Sequence, residues 1–283
     1  MTAETSAWEN AVRWLREQPD QQDLVRDAYY DDPLTATADR FWRSNEWEAT
    51  RALIGDGRGR TALDIGAGRG IASYALARDG WQVTALEPDP SPLVGAGAIR
   101  QLASDTGVAI EVEQTLSERL PFADASFDLV YGRAVLHHIG DLSAACREFA
   151  RVLKPGGRVV AVREHVITQD ADRERFFEIH PLHYRYGGEN AHQVGFYQDA
   201  LSQAGLQIET TLGPLETAVN YAPHDKTSLK GEIAAQIGAR VPLGKPLASL
   251  ALALPGVGDL LLAQLQRFDH RPGRHYSFVA RRP

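Results

Sequence analysis

The sequence predicts an α/β protein built on a doubly wound, mostly parallel sheet, and three observations carry that prediction. From Thr61 onward, apolar runs of strand length alternate with stretches of helical period, the pattern that places helices on both faces of a parallel sheet. The first run leads at once into glycines at alternate positions, Gly66, Gly68 and Gly70, as a strand turning directly into a helix requires. Later, Lys154-Pro155-Gly156-Gly157 follows a helical stretch and reads as a stop signal before the next strand.

Residues 1–57 carry Trp8, Trp14, Trp42 and Trp47 with Tyr29, Tyr30 and Phe41. Their spacing predicts two or three amphipathic helices. These form a helical lid whose YYDDP turn closes over a ligand, or else simple packing against the core. The core proper spans 58–168, 196–212 and 273–283. Within it the first strand starts at Thr61, a helix covers about 71–79, and a strand covers 82–86. A Pro-rich turn, EPDPSP, leads to a helix at about 93–105, then strands at 109–113 and in FDLVYG, a helix at 142–153, and a strand at 158–162. A first insertion, 169–195, precedes the helix GFYQDALSQAGL and a strand at 206–211. A second, 213–272, precedes the closing strand RHYSFVARR. Both insertions read as caps.

The glycine turn is a cradle for a small molecule, because the following helix presents free N–H groups and its positive dipole end there. The spacing G-x-G-x-G differs from the dinucleotide fingerprint G-x-G-x-x-G, and Asp64 precedes it. A carboxylate at that point repels a pyrophosphate and accepts a hydrogen bond from an ammonium. The next strand ends in Glu87, where a carboxylate can take both ribose hydroxyls. Amino group and ribose together describe S-adenosylmethionine better than NAD.

The ordered motifs LDIGAGRG, LEPD, LPFADASFDLV, VLHH and RVLKPGG, from Leu63 to about Val160, resemble the class I S-adenosylmethionine-dependent methyltransferases. The resemblance implies a seven-stranded Rossmann-like sheet with an antiparallel last strand, and methyl transfer to a small-molecule acceptor, a hydroxyl or other nucleophile on an apolar or aromatic metabolite. It implies cofactor contacts at Asp64, Gly66, Ala67, Gly68, Gly70, Glu87 and Pro88, adenine contacts at Ser117 and Glu118, and Arg133 near the methionine. Asp128 it marks as structural. An NAD(P)-dependent oxidoreductase and a non-catalytic partner that binds the cofactor are the alternatives.

Methyl transfer from a sulfonium needs alignment and, for some acceptors, a base. Histidine titrates near neutrality, so His137 and His138 after the fourth strand and His165 after the fifth are the candidate bases. Glu164 and His165 are adjacent in an extended chain and point opposite ways, and His165 is the one expected to face the pocket. Glu164 and, in the first insertion, His180, His183, Tyr184, Glu189 and Asn190 are expected to bind the acceptor. His180 and His183, with His165, Glu189 or His192, also offer metal-ligating donors. Their spacing matches no strong signature and Pro181 interrupts the pair, so no metal is expected.

At 283 residues with a net charge of -7, the chain is one domain with additions and a poor candidate for a nucleic-acid partner. The single cysteine, Cys146, falls in a helical pattern as a small core residue. The first residues lack a basic start followed by an apolar run, so a cytoplasmic location is expected. Residues 247–265 are apolar, yet Pro255, Gly256, Gly258 and Asp259 interrupt them. They predict two short packed helices in place of a membrane span, acting as a lid, a homodimer face or a peripheral membrane contact.

Overall fold

The computed structural model describes residues 6–241, 244–254 and 256–283. Seven strands form a single sheet in the order β3-β2-β1-β4-β5-β7-β6: β1 (Thr61–Ile65), β2 (Gln82–Leu86), β3 (Ile110–Glu113), β4 (Phe127–Arg133), β5 (Leu153–Val166), β6 (Gln207–Leu212) and β7 (Arg274–Arg281). The first five run parallel, and β7 is antiparallel to both β5 and β6. The expected closing strand therefore lies inside the sheet.

Four α-helices precede the sheet, α1 (Ala7–Glu17), α2 (Gln22–Asp27), α3 (Leu34–Trp42) and α4 (Asn45–Ile54), where the spacing predicted two or three. Serine caps open the first and the fourth: Ser6 Oγ accepts from the Glu9 N–H and Ser44 Oγ from the Trp47 N–H. α5 (Ile71–Arg78) and α6 (Ala96–Thr106) follow β1 and β2. The α6 helix starts three residues later than its pattern suggested. Ser91 Oγ accepts the N–H groups of Leu93 and Val94 while the Asp89 carbonyl takes that of Ala96, so side chains and loop hold those donors before the helix begins.

α7 (Leu142–Val152) is capped by Asp141 and passes directly into β5. The helix stops here as expected, but the strand begins at Leu153 in place of Arg158, with Lys154 to Gly157 inside it at a register shift against β4. Leu153 already pairs with Phe127, and Gly156, at φ +78, donates to the Arg282 carbonyl. Asp128 clamps this corner by accepting from the Thr61 N–H and hydroxyl and from Lys154 Nζ.

The sheet is covered on both faces. One cluster joins Leu63, Val130, Val159 and Phe278 to Cys146 and Phe149 of α7 and to Tyr197 and Leu201 of α10 (Val194–Gln203). The other joins Leu129, Tyr131 and Val160 to Phe41, Trp47 and α5. So α3 and α4 pack into the core, while α1 and α2 sit over the carboxyl end of the strands beside the first insertion. That insertion holds α8 (Asp172–Ile179) and α9 (His183–Tyr186). The second holds α11 (Ala218–Tyr221), α12 (Lys226–Gly238), α13 (Gly244–Ala253) and α14 (Val257–Arg267). The last two are bent by 117° to one another, and among the described residues no single helix is long and apolar enough to cross a membrane. The interrupting Pro255 lies outside the described residues.

Candidate active site

Gly66, Gly68 and Gly70 all adopt positive φ, +57, +56 and +81, the left-handed region that glycine enters without cost. The turn curls under Glu87, whose Oε2 accepts from the Gly68 N–H at 2.7 Å and whose Oε1 accepts from the Asp89 N–H at 2.9 Å. Beneath it, Asp64 is 1 % exposed and accepts from Ser73 Oγ at 2.5 Å. Burial pushes both carboxyls up to about 7, and the charge of Glu87 adds to the effect on Asp64. Two desolvated carboxylates side by side are unfavourable alone and match a bound cation.

This turn forms one end of a cavity of about 1020 Å³. Ligand pockets span about 300–1,000 Å³, so a nucleoside and a second small molecule fit together. Asp64, Gly66, Ala67, Gly68, Glu87 and Pro88 are in its wall, and so are Ser117, Glu118 and Arg133. Gly70 is not. It starts α5, and a Cβ there would meet Ile99 at 3.1 Å. Arg133 reaches the cavity, but its guanidinium is committed to Glu46, Nε to Oε1 at 2.6 Å.

The opposite wall is rich in imidazoles: His137, His138, His165, His180 and His275. His165 faces the cavity, whereas Glu164 is fully buried behind it, as alternation along β5 requires. Glu164 is absent from the acceptor wall because it is consumed in holding the β4 exit. It accepts the N–H groups of Val135 and His137 at 3.2 Å, and the Nδ1–H of His137 at 2.7 Å. Burial disfavours a charge on His137, but Glu164 and Glu189 outweigh it and push the imidazole up to about 9. His165 is forced down to about 3 by burial and by its neighbour His137. Of the candidate bases, His165 is therefore neutral and His137 charged near pH 7.

The first insertion divides. His180 and Glu189 reach the cavity, whereas His183, Tyr184 and Asn190 do not. α9 is one turn long, and it stacks the His183 ring on Phe177 at 3.9 Å and 8°. It leaves Tyr184 70 % exposed on its outer side. Asn190 Oδ1 turns back to accept the Ala191 N–H.

Tyr30 of the YYDDP turn is in the wall, and sequence reasoning missed Arg69, Arg163 and His275, which are there too. Arg69 lies within the glycine turn itself and is buried. Its guanidinium donates to the Tyr29 and Asp31 carbonyls and to Asp32 Oδ1, fastening the YYDDP turn against the cradle. His275 stands opposite His165 in the β5–β7 register, ring centroids 5.1 Å apart. A charged residue between the cradle's glycines was the signal for Arg69, while His275 needed the strand pairing.

Residues 63–161 match the family of methyltransferase domains. Curated relatives include the demethylmenaquinone methyltransferase of Mycolicibacterium paratuberculosis, 40% identical over 127 residues, which are 45% of this chain and 50% of that protein. The enzyme of the same name from Mycobacterium tuberculosis (strain ATCC 25618 / H37Rv) is 36% identical over 127 residues, 45% of this chain and 49% of its own. The chain thus spans about half the length of the curated relatives it matches. Among solved structures, geranyl diphosphate C-methyltransferase from Streptomyces coelicolor A3(2), in complex with Mg2+, geranyl diphosphate and S-adenosyl-L-homocysteine, superposes with TM-score 0.60 at 15% identity over 99% of both chains. The [4+2]-cyclase SpnF superposes with TM-score 0.56 at 19% identity over 89% of this chain and 83% of its own. These likenesses concern the fold.

Proposed function

We propose that this chain, whose residues 63–161 form a methyltransferase domain of the class I S-adenosylmethionine-dependent type, methylates a nucleophilic oxygen or carbon on a ring-bearing small molecule. One observation carries the reading: a single cavity joins the carboxylate-flanked glycine turn to the imidazole wall. When bound, S-adenosylmethionine supplies an electrophilic methyl group together with its leaving group. Asp64 receives the ammonium, Glu87 exchanges its backbone partners for the ribose hydroxyls, and Ser117 and Glu118 border the adenine. An imidazole of the facing wall takes the acceptor's proton, while Tyr30, Phe176, Ile179 and Leu182 line the cavity and exclude water. Helices α1 and α2 with the YYDDP turn serve as the lid, and a cytoplasmic location belongs to the same reading. The named substrate of the mycobacterial relatives makes hydroxylated quinone precursors the first acceptors to try, with phenols and isoprenoids beside them.

Asp64→Ala combined with Glu87→Ala should abolish S-adenosylhomocysteine binding in calorimetry while the thermal midpoint is retained. Unchanged affinity removes the site assignment. Labelled methyl transfer into the acceptor panel then tests the activity.

The two raised carboxyls also set a pH dependence. Between about 4 and about 7 the folded state holds protons that the unfolded chain has released. The stability these groups contribute to the ligand-free fold is complete below about 4 and lost as pH rises through about 7. Binding of an ammonium needs the ionised forms, so affinity for S-adenosylhomocysteine should rise across the same window and level off above it. Calorimetry from pH 5 to 8 checks this, and Asp64→Asn should flatten the curve.

A further inference from the structure

Glu189 has one carboxylate oxygen that is hydrogen-bonded and one with no hydrogen-bond partner among the described residues. Oε1 accepts the Tyr186 hydroxyl and faces His180 Nε2 at 3.5 Å. That nitrogen carries the proton, because His180 Nδ1 accepts the Leu182 N–H. Oε2 is buried and makes no hydrogen bond, and Glu189 itself is 7 % exposed. It points at His137 Nε2 at 3.6 Å and His165 Nε2 at 3.9 Å, with His138 Nε2 at 4.0 Å.

The outer atoms of these imidazoles are tied back. His137 Nδ1 lies 2.7 Å from Glu164 Oε2, and His165 Nδ1 lies 3.0 Å from the Gly273 carbonyl. A carboxylate and a carbonyl accept only, so both Nδ1 atoms carry hydrogen; the His165 Nε2 presents a lone pair, and that of His137 does so once a metal ion displaces its proton. Two such lone pairs and a carboxylate oxygen then converge, all within 4.8 Å of one another. A proton does not bridge them well, since charge-assisted N–H···O contacts close to about 2.7–2.9 Å. Ligands bound at about 2.0–2.2 Å in tetrahedral geometry stand about 3.4 Å apart, close to the 3.6 and 3.9 Å from Glu189 Oε2 to the His137 and His165 Nε2 atoms.

We propose that His137, His165 and Glu189 hold a divalent metal ion, zinc by donor set, with an open coordination position facing the cavity. Two imidazoles and one carboxylate suit Zn²⁺. Glu164, the Gly273 carbonyl, Tyr186 and His180 are the outer partners that orient such ligands. The open position takes an oxygen of the acceptor. That last point rests on the methyl-transfer reading, whereas the metal site does not. There the acceptor is an enol, phenol or catechol-like hydroxyl that loses its proton to the imidazole of His138, which lines the same cavity, as it binds the metal. An electron pair of the resulting oxyanion, on oxygen or on the conjugated ring carbon, forms the bond to the methyl carbon. The methyl–sulfur pair stays on sulfur, leaving a neutral thioether.

The test uses the full chain, stripped with a chelator and titrated with Co²⁺ and then Zn²⁺. One equivalent of Co²⁺ should give visible d–d bands that Zn²⁺ abolishes. His165→Ala and Glu189→Gln should each lower Zn²⁺ affinity by more than 100-fold in competition with a chromophoric chelator. Glu164→Gln, which alters only an outer partner, should lower it about 10–100-fold, and His183→Ala, outside the cluster, should leave it unchanged. S-adenosylhomocysteine calorimetry on every variant reports an intact fold. Less than one equivalent bound, or wild-type affinity in a Glu189→Gln chain that still binds S-adenosylhomocysteine, overturns the metal site and leaves the methyl-transfer reading standing. Metal uptake without S-adenosylhomocysteine binding does the reverse.

Discussion

Glu46→Ala should destabilise the fold by about 3–5 kcal/mol, the cost of stranding a buried partner of an ion pair. Glu46 is 2 % exposed, and its carboxylate is gripped by Arg133 through Nε at 2.6 Å and Nη2 at 3.2 Å, with Arg163 Nε at 3.9 Å. Burial alone would raise the Glu46 carboxyl, but the two guanidiniums hold it below its ordinary range. Removing the carboxylate leaves two largely buried guanidiniums in the cavity wall without the anion they share. Thermal unfolding should show a drop on the order of 10 °C. Glu46→Leu with Arg133→Met removes both charges of the closer pair and should recover most of the loss. Equal destabilisation in the single and double variants would show that the pair is not what matters.

Gly66→Ala should lower cofactor affinity at least about 100-fold, because small displacements of a binding element carry penalties of that order. A Cβ at this position would lie 2.2 Å from Val135 Cγ2, and φ is +57. The left-handed backbone costs about 1–3 kcal/mol for a non-glycine residue, and the clash adds about 1–3 kcal/mol of overpacking. Gly68→Ala isolates the first contribution. It has φ +56, yet the nearest atom to its Cβ is the Val94 carbonyl oxygen at 3.9 Å. Chemical denaturation should therefore place Gly66→Ala below Gly68→Ala by the overpacking cost. Equal midpoints would mean that Val135 yields.

What the sequence revealed of this molecule follows the range of the interactions involved. β1, the three left-handed glycines and β2 were legible because each depends on residues within a few positions: apolar run, glycine, apolar run. The same holds for His165 facing inward and Glu164 outward, a consequence of strand alternation alone. The first insertion was legible as a pocket element but not residue by residue. A single helical turn decides that His180 looks in and His183 lies flat on Phe177, and no periodicity operates over four residues. The pairing of His137 with Glu189 joins the β4 exit to a loop fifty residues away, so the donor set assembled by the fold differs from the His180–His183 pair suggested by spacing. The second insertion was expected to cap the site, yet among its described residues only Pro223 and Pro272 reach the wall. Its helices make their own small cluster around Leu229, Leu252 and Leu262.

The placement of β7 between β5 and β6 imposes an order of assembly on a chain emerging from the ribosome. The glycine turn and its two carboxylates are complete once residue 87 has been translated. The imidazole wall must wait, because the carbonyl that orients His165 belongs to Gly273 and the ring beside it to His275. A nascent chain paused before that point has half a pocket and an unfilled slot in its sheet, flanked by two strands that have nothing yet to bridge them.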